Sequence, residues 1–169
     1  MAVVIGQMDS GVRLRPAWRW RKLLLTVHVL TTVGLFGADL VLLTLGITSV
    51  LGAEPRTVYP AAAAVGKTLL GPLAVASLAT GLLLGALSQW GLLKYWWVVI
   101  KLAITVALTP VVLFVLVPRL EAAAEAGRLL TESERAQLVI APGVASSLLA
   151  LNATLAVFKP HWRLRRSTG

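Results

Sequence analysis

Four apolar stretches, each long enough to cross a lipid bilayer as a helix, constrain what this chain can fold into. They run from about Leu23 to Val50, from Ala61 to Leu87, from Trp96 to Val117 and from about Leu138 to Phe158. A bilayer's hydrocarbon layer is about 30 Å thick and takes about 20 helical residues to cross. Because lipid offers no partner to an open backbone, each stretch must be a helix. The sequence therefore predicts an all-α, polytopic membrane protein, a bundle of four transmembrane helices.

The basic residues are concentrated at the two ends of the chain. Of 169 residues, 16 are Lys or Arg and 7 are Asp or Glu. We divide the chain into a basic segment, 1–22, a transmembrane domain, 23–158, and a basic tail, 159–169. Short basic flanks stay in the cytoplasm, and an even number of spans puts both termini on one side. The sequence thus predicts a multi-pass protein of the bacterial plasma (inner) membrane with both termini cytoplasmic.

The same composition excludes several classes of protein. The chain has no cysteine, which excludes a disulfide scaffold and a thiolate metal site, and its hydropathy excludes an ordinary cytosolic enzyme. No metal site is predicted. The Arg/Trp clusters at both ends alternate aromatic and basic residues, a pattern that also binds single-stranded nucleic acid. Beside membrane spans we expect them to contact the bilayer's anionic headgroups, with no nucleic acid as partner.

The loop between the third and fourth stretches has its own signal. Residues 119–130 are rich in Ala, Glu and Arg and are expected to extend the third helix beyond the lipid. Thr131-Glu132-Ser133-Glu134 has the spacing of a capping box, which predicts the start of the fourth helix. The two helices are expected to form a hairpin that protrudes from the membrane on the side away from the termini.

Small residues mark the helix faces that can approach closely in lipid. Ser77, Gly81 and Gly85 are spaced by four on the second helix. Two interpretations stay open for this stripe: close packing within the bundle, or formation of a homodimer through the second helix. Similar spacings occur on the fourth helix, and Pro72, Pro110 and Pro142 are expected to kink their spans. Those on the fourth helix are Gly143 with Ser147, and Ser146 with Ala150 and Thr154.

Ionisable residues inside membrane spans are costly and are functional candidates by default. Counting residues from the ends of the spans predicts two layers. His28, Lys101 and Asn152 lie in an inner layer near the cytoplasmic side. Asp39 lies roughly 16 Å further out, at the level of Lys67.

Each layer has a structural and a functional interpretation. Asp39 and Lys67 can form an intramembrane ion pair, and either lysine can instead extend to its nearer membrane surface. His28 can hydrogen-bond a neighbouring helix or Asn152. It can also be an axial ligand of a haem, because imidazole is a regular haem-iron ligand. In that case Lys101 or a terminal basic residue would neutralise the propionates.

A few positions resemble a known group of proteins. His28 is followed by Gly34 and Gly37, the third helix starts Trp96-Trp97-Val-Val-Ile-Lys101, and the fourth ends at Lys159-Pro160. This layout resembles uncharacterised bacterial four-helix integral membrane proteins of the DUF2269 type. More distantly it is similar to the CopD copper-resistance membrane domain and to HemJ, an oxygen-independent protoporphyrinogen oxidase. The HemJ resemblance implies haem binding by His28 and a functional role for Lys101. The chain lacks the HemJ family's second helix-three histidine and its Asn-Glu-x-Pro segment.

Three functions follow as hypotheses. The first is an accessory or scaffold component of a membrane complex, with no catalysis of its own, acting with a partner protein or as a homodimer. The second is a redox protein that binds haem b or a related porphyrin, with His28 as axial ligand beside Lys101 and Asn152. The third is a small proton-coupled carrier that uses Asp39 and Lys67.

Overall fold

The computed structural model describes residues 15–87, 96–126 and 130–158, and every element in these ranges is helical. Two π-helical turns interrupt the helices. The first turn, Gly66–Leu70, joins α2 to α3, and the second, Val112–Leu116, joins α4 to α5. The α-helices are α1 (Arg15–Val50), α2 (Pro55–Val65), α3 (Gly71–Leu87), α4 (Trp96–Val111), α5 (Val117–Ala126) and α6 (Glu132–Phe158).

These helices form four continuous spans, each long and apolar enough to cross a membrane. They are span 1 (Arg19–Val50), span 2 (Pro55–Leu87), span 3 (Val98–Ala126) and span 4 (Glu132–Phe158). The all-α fold and the four predicted apolar helices are therefore confirmed. Span 2 begins at Pro55 and not at Ala61, because a proline in the first helical turn needs no N–H partner.

The spans pack as an antiparallel ring. Span 1 contacts spans 2 and 4, and span 3 contacts the same two neighbours. The centre of the ring is aliphatic, with Leu42, Leu70 and Leu120 almost completely buried. Large apolar side chains also cover the outside, where Phe114 is 77% exposed. Such an outer surface is suited to lipid and not to water.

Each π-turn lies two residues before a proline, Pro72 in span 2 and Pro118 in span 3. The N–H of Gly71 donates to the carbonyl of Gly66, a bond that closes a turn one residue wider than the α-helical one. A proline has no N–H, and its ring crowds the carbonyl four residues earlier. The wider turn absorbs this crowding, so that both spans continue as helices. Pro110 and Pro142, by contrast, lie within α4 and α6.

Two helix termini at the end away from the chain termini are capped. Span 1 ends in a Schellman motif: Gly52 has a φ of 98°, Gly52 N–H donates to the carbonyl of Ser49 and Ala53 N–H donates to the carbonyl of Thr48. At the start of span 4, the backbone N–H of Thr131 donates to Glu134 Oε2 at 2.8 Å, and Glu134 N–H donates back to Thr131 Oγ1. The predicted capping box is therefore confirmed.

Spans 1 and 4 make the closest backbone contact among the described glycines. A Cβ placed on Gly46 would lie 2.6 Å from the carbonyl oxygen of Leu138. Only a hydrogen atom fits between the two helices at this point. At Gly37, on the same span, a Cβ would meet nothing within 4 Å.

We predict that Gly46→Ala destabilises the protein by about 1–3 kcal/mol, because the added methyl group must push span 4 away. Gly37→Ala is the matched control and is expected to leave stability unchanged or slightly raised, since alanine favours helix. The midpoint of thermal unfolding in detergent measures both. Equal stability of the two variants would show that the contact between Gly46 and Leu138 does not hold the spans together.

Candidate functional site

His28 lies between spans 1 and 2. Its Nδ1 is 2.9 Å from Thr80 Oγ1, and Thr80 itself donates to the carbonyl of Ala76 at 2.6 Å. Thr80 therefore accepts the bond from His28, which assigns the ring proton to Nδ1. In this tautomer Nε2 carries a lone pair and is the ring atom that can act as a ligand.

The stripe of small residues on span 2 makes room for this histidine. A Cβ on Gly81 would lie 3.2 Å from Cε1 of His28, and the backbone of Ser77 also interacts with the ring. Ser77 is 3% exposed. Ser77 and Gly81 thus face span 1 of the same chain, as expected for close packing within the bundle. Gly85 is half-buried, and its role stays a prediction.

The three residues of the predicted inner layer, His28, Lys101 and Asn152, each contact a neighbouring span in a different way. Asn152 Nδ2 donates to Thr105 Oγ1 at 3.2 Å, which joins spans 4 and 3. Lys101 lies one turn before Thr105 on span 3 and interacts electrostatically with His28. The expected hydrogen bond between His28 and Asn152 is not formed, because the two residues lie at different interfaces of the ring. Asn152 Oδ1 is buried and has no hydrogen-bond partner.

Asp39 and Lys67 do not form the predicted ion pair. Asp39 is 1% exposed and accepts a bond of 2.5 Å from Ser146 Oγ, which joins spans 1 and 4. Lys67 Nζ lies 2.9 Å from Glu121 Oε1 on span 3, and the two side chains are 71% and 41% exposed. The carrier hypothesis needed Asp39 beside Lys67 and loses its basis with this correction.

The predicted depth of the two residues was nevertheless right. Tyr59 lies opposite Ser49, and Thr80 lies opposite His28. In this antiparallel register Lys67 lies level with Val41, two residues from Asp39. Lys67 instead faces span 3, since its Nζ lies 2.9 Å from Glu121 Oε1.

Several contacts were missed because their partners are hydroxyl groups. Ser49 Oγ and Tyr59 Oη are 2.6 Å apart and buried at the interface between spans 1 and 2. Ser146 had been assigned only to close packing. Most other hydroxyls in the spans donate to a carbonyl of their own helix, as Thr44 does to Leu40. Sequence spacing does not tell which hydroxyl bonds across to a neighbour.

Polar contacts join all four pairs of neighbouring spans. At the interfaces between spans 1 and 2 and between spans 1 and 4 they are buried or half-buried. Span 3 has a second contact with span 4, where Arg119 Nη1 donates to Gln137 Oε1 at 2.7 Å. It contacts span 2 through the exposed pair of Lys67 and Glu121. These polar contacts between neighbouring spans hold the helices in register.

In the described ranges no group of three His, Cys, Asp or Glu could hold a metal ion.

The comparisons with known proteins add no relative. No protein-family model matches the chain, and neither the curated proteins nor the solved structures gave a match. The likeness to DUF2269, CopD and HemJ proteins stays a prediction from the few positions that carry it.

We predict that Ser146→Ala lowers the free energy of unfolding by about 1–2 kcal/mol, because Asp39 loses the donor that reaches it in the bundle. Ser147→Ala is the matched control, since Ser147 is exposed and donates to the carbonyl of Gly143 on its own helix. Unfolding of the two variants in mixed micelles gives the comparison. A loss of stability as large in Ser147→Ala would contradict the role assigned to the Asp39–Ser146 bond.

Proposed function

We propose that this chain is an accessory or scaffold component of a complex in the bacterial plasma membrane, without catalysis of its own. The observation that carries the proposal is that polar side chains inside the bundle form hydrogen bonds between spans. Asp39, His28 and Asn152 each hydrogen-bond a hydroxyl group on a neighbouring span. Groups committed in this way stabilise the bundle and leave its outer surface for partners.

The proposed orientation places both termini in the cytoplasm. The support for it is the charge distribution in the sequence: basic residues precede the first span and follow the last. Four spans would bring both flanks to one side, where they would meet anionic headgroups. The hairpin tips, with Gly52 and Thr131, then face the other side of the membrane. Tags at the two ends test this orientation, since both must be protected from protease in intact cells.

The accessory role predicts how conservative variants behave. Asp39→Asn keeps an acceptor for Ser146, and His28→Gln keeps a donor for Thr80, so both are expected to retain the chain in its complex. Native gel electrophoresis of gently solubilised membranes measures the amount of complex, and growth measures the biological effect. The pair Asp39→Leu and His28→Leu supplies the disruptive counterparts, which are expected to lose the complex.

One result would contradict the accessory role. If Asp39→Asn or His28→Gln left the complex intact but abolished its biological effect, the ionisable groups would be performing chemistry and not merely holding helices.

A second candidate function is the binding of haem b by His28. The observation that favours it is the hydrogen bond from Nδ1 to Thr80, since ligating histidines almost always donate their other ring N–H to a nearby acceptor. Lys101 interacts electrostatically with His28, and in this candidate it would neutralise a propionate. A bound haem would supply one-electron redox chemistry. Asn152 bonds Thr105, one turn after Lys101, and its part in this candidate stays a prediction.

An absorption spectrum of protein purified after growth with added haem precursor tests this candidate. We expect a Soret band that disappears in His28→Ala, and that Thr80→Val lowers haem affinity by about 10- to 100-fold, the usual effect of removing such a partner. Ser147→Ala is the control that must retain the band. Absence of the band in the unmodified protein would exclude haem and leave the accessory role standing.

A further inference from the structure

The buried residues of the bundle lie in one half of it. We call the half nearer to the start of span 1 the inner half. Its segments are residues 19–34, 78–87, 98–108 and 147–158. No residue in these segments is buried. The shortest segment has ten residues and is about 15 Å long, half the thickness of a bilayer's hydrocarbon layer. In the other half the centre of the ring is filled by leucines such as Leu42 and Leu120.

The inner half is loosely packed on the side of span 3. Spans 1 and 2 stay in close contact there, since a Cβ on Gly81 would lie 3.2 Å from Cε1 of His28. Helix α4 forms the inner part of span 3. Among the residues of α4 whose side chains the structure describes, Thr109 alone is buried, and it lies near the outer end of the helix. A space therefore remains at the centre of the ring, between α4 and span 1.

Every span contributes a polar side chain at the level of this space. His28 bonds Thr80, and Asn152 bonds Thr105. Lys101, on α4, interacts electrostatically with His28, on span 1, across the centre of the ring. All five residues are half-buried. Lipid offers no hydrogen-bond partner to the exposed part of such side chains, so water is the medium that suits this space.

The charge of the inner half is positive. Its four segments contain no Asp or Glu, and the nearest acid of span 1, Asp39, is buried and bonds Ser146. Lys101 lies in the interior of this half, and Lys22 lies near its open end. A cleft that has low-dielectric walls and charges of one sign concentrates the potential and attracts counter-ions. The inner half is therefore suited to small anions.

We propose that the inner half holds a water-filled crevice, open at the end where span 1 begins, that binds a small inorganic anion such as chloride beside Lys101. The leucine-filled centre of the ring closes the crevice on its other side, so the anion binds and does not pass through. In the orientation proposed above, the crevice opens to the cytoplasm. The crevice depends on the packing and charge of this chain alone, and it stands whether or not the accessory role is right.

Single cysteines test whether water enters, because the chain has no cysteine of its own. Thr80→Cys and Thr105→Cys place a thiol at the crevice on two different spans. Ala79→Cys and Ala103→Cys are the matched controls. Both alanines are exposed, and they point away from the ring because Ala79 is two residues from the buried Ser77 and Ala103 is two residues from Thr105.

The measurement is the rate at which charged methanethiosulfonate reagents modify each variant in phosphatidylcholine nanodiscs. These reagents attack the hydrated thiolate, so the two test positions are expected to react about tenfold or more faster than their controls. Thermal unfolding in detergent identifies a variant that fails to fold, and the other test position then decides the outcome. Equal rates at test and control positions would overturn the crevice.

The charge of the reagent tests the anion site. At Thr105→Cys the negatively charged sulfonatoethyl reagent is expected to react about tenfold faster than the positively charged trimethylammonium reagent, after each rate is divided by that of the same reagent with a free thiol in solution. Adding Lys101→Gln is expected to abolish this preference, and Lys101→Arg to retain it. A neutral hydroxyethyl reagent reports whether the crevice stays open in both. A preference that is absent, or that survives Lys101→Gln, would overturn the anion site.

Competition measures the binding of the anion itself. Chloride is expected to slow the sulfonatoethyl reagent at Thr105→Cys more than gluconate, a larger anion, does at the same concentration, and to leave the neutral reagent unaffected. Equal slowing by the two salts would show only screening of charge and would contradict a bound small anion.

Discussion

The whole structure depends on satisfying polar groups where lipid cannot. In the hydrocarbon region a side chain must find its hydrogen-bond partner within the protein. Most hydroxyls here find one on their own helix, as Thr154 does at the carbonyl of Ala150. The stronger polar groups, Asp39 and His28, need a partner on another helix and so fix which helices meet. The register of the bundle follows from these few obligatory bonds.

Span 1 makes most of these contacts between helices. It faces span 2 through His28 and Ser49, and it faces span 4 through Asp39 and Gly46. The two contacts with span 4 lie between the two contacts with span 2, so that neither neighbour can slide along span 1 without breaking a contact with it. Span 3 is held differently: its contact with span 2 uses leucines on glycines, such as Leu120 on Gly66, together with an exposed ion pair.

Much of this fold could be predicted from the sequence, because helix number and depth depend on counting. Apolar length fixes the spans, and the 1.5 Å rise fixes height, so Lys67 was correctly placed near the level of Asp39. The direction in which a side chain points around the helix axis is harder to predict, since any change in the number of residues per turn shifts every later side chain. The turn Gly66–Leu70 changes it by one residue, and nothing but the glycine and the later Pro72 marks that change. The candidate site was therefore half right: its residues lie in two layers, but Asp39 and His28 bond hydroxyl groups and Lys67 bonds Glu121, so the predicted pair of Asp39 and Lys67 is absent.

The two sides of the ring differ in how they meet their surroundings, and this difference follows from the same physics. On spans 2 and 3 an exposed ion pair, Lys67 with Glu121, interrupts the apolar surface, and such a pair suits a position near the boundary between lipid and water. Spans 1 and 4 continue their apolar surface beyond that level, even though Gly46 and Leu138 already bring their backbones as close as helices can come. Closer packing of these two spans cannot hide the excess. The excess apolar surface therefore stays on the outside of the bundle, where Leu51 is 80% exposed.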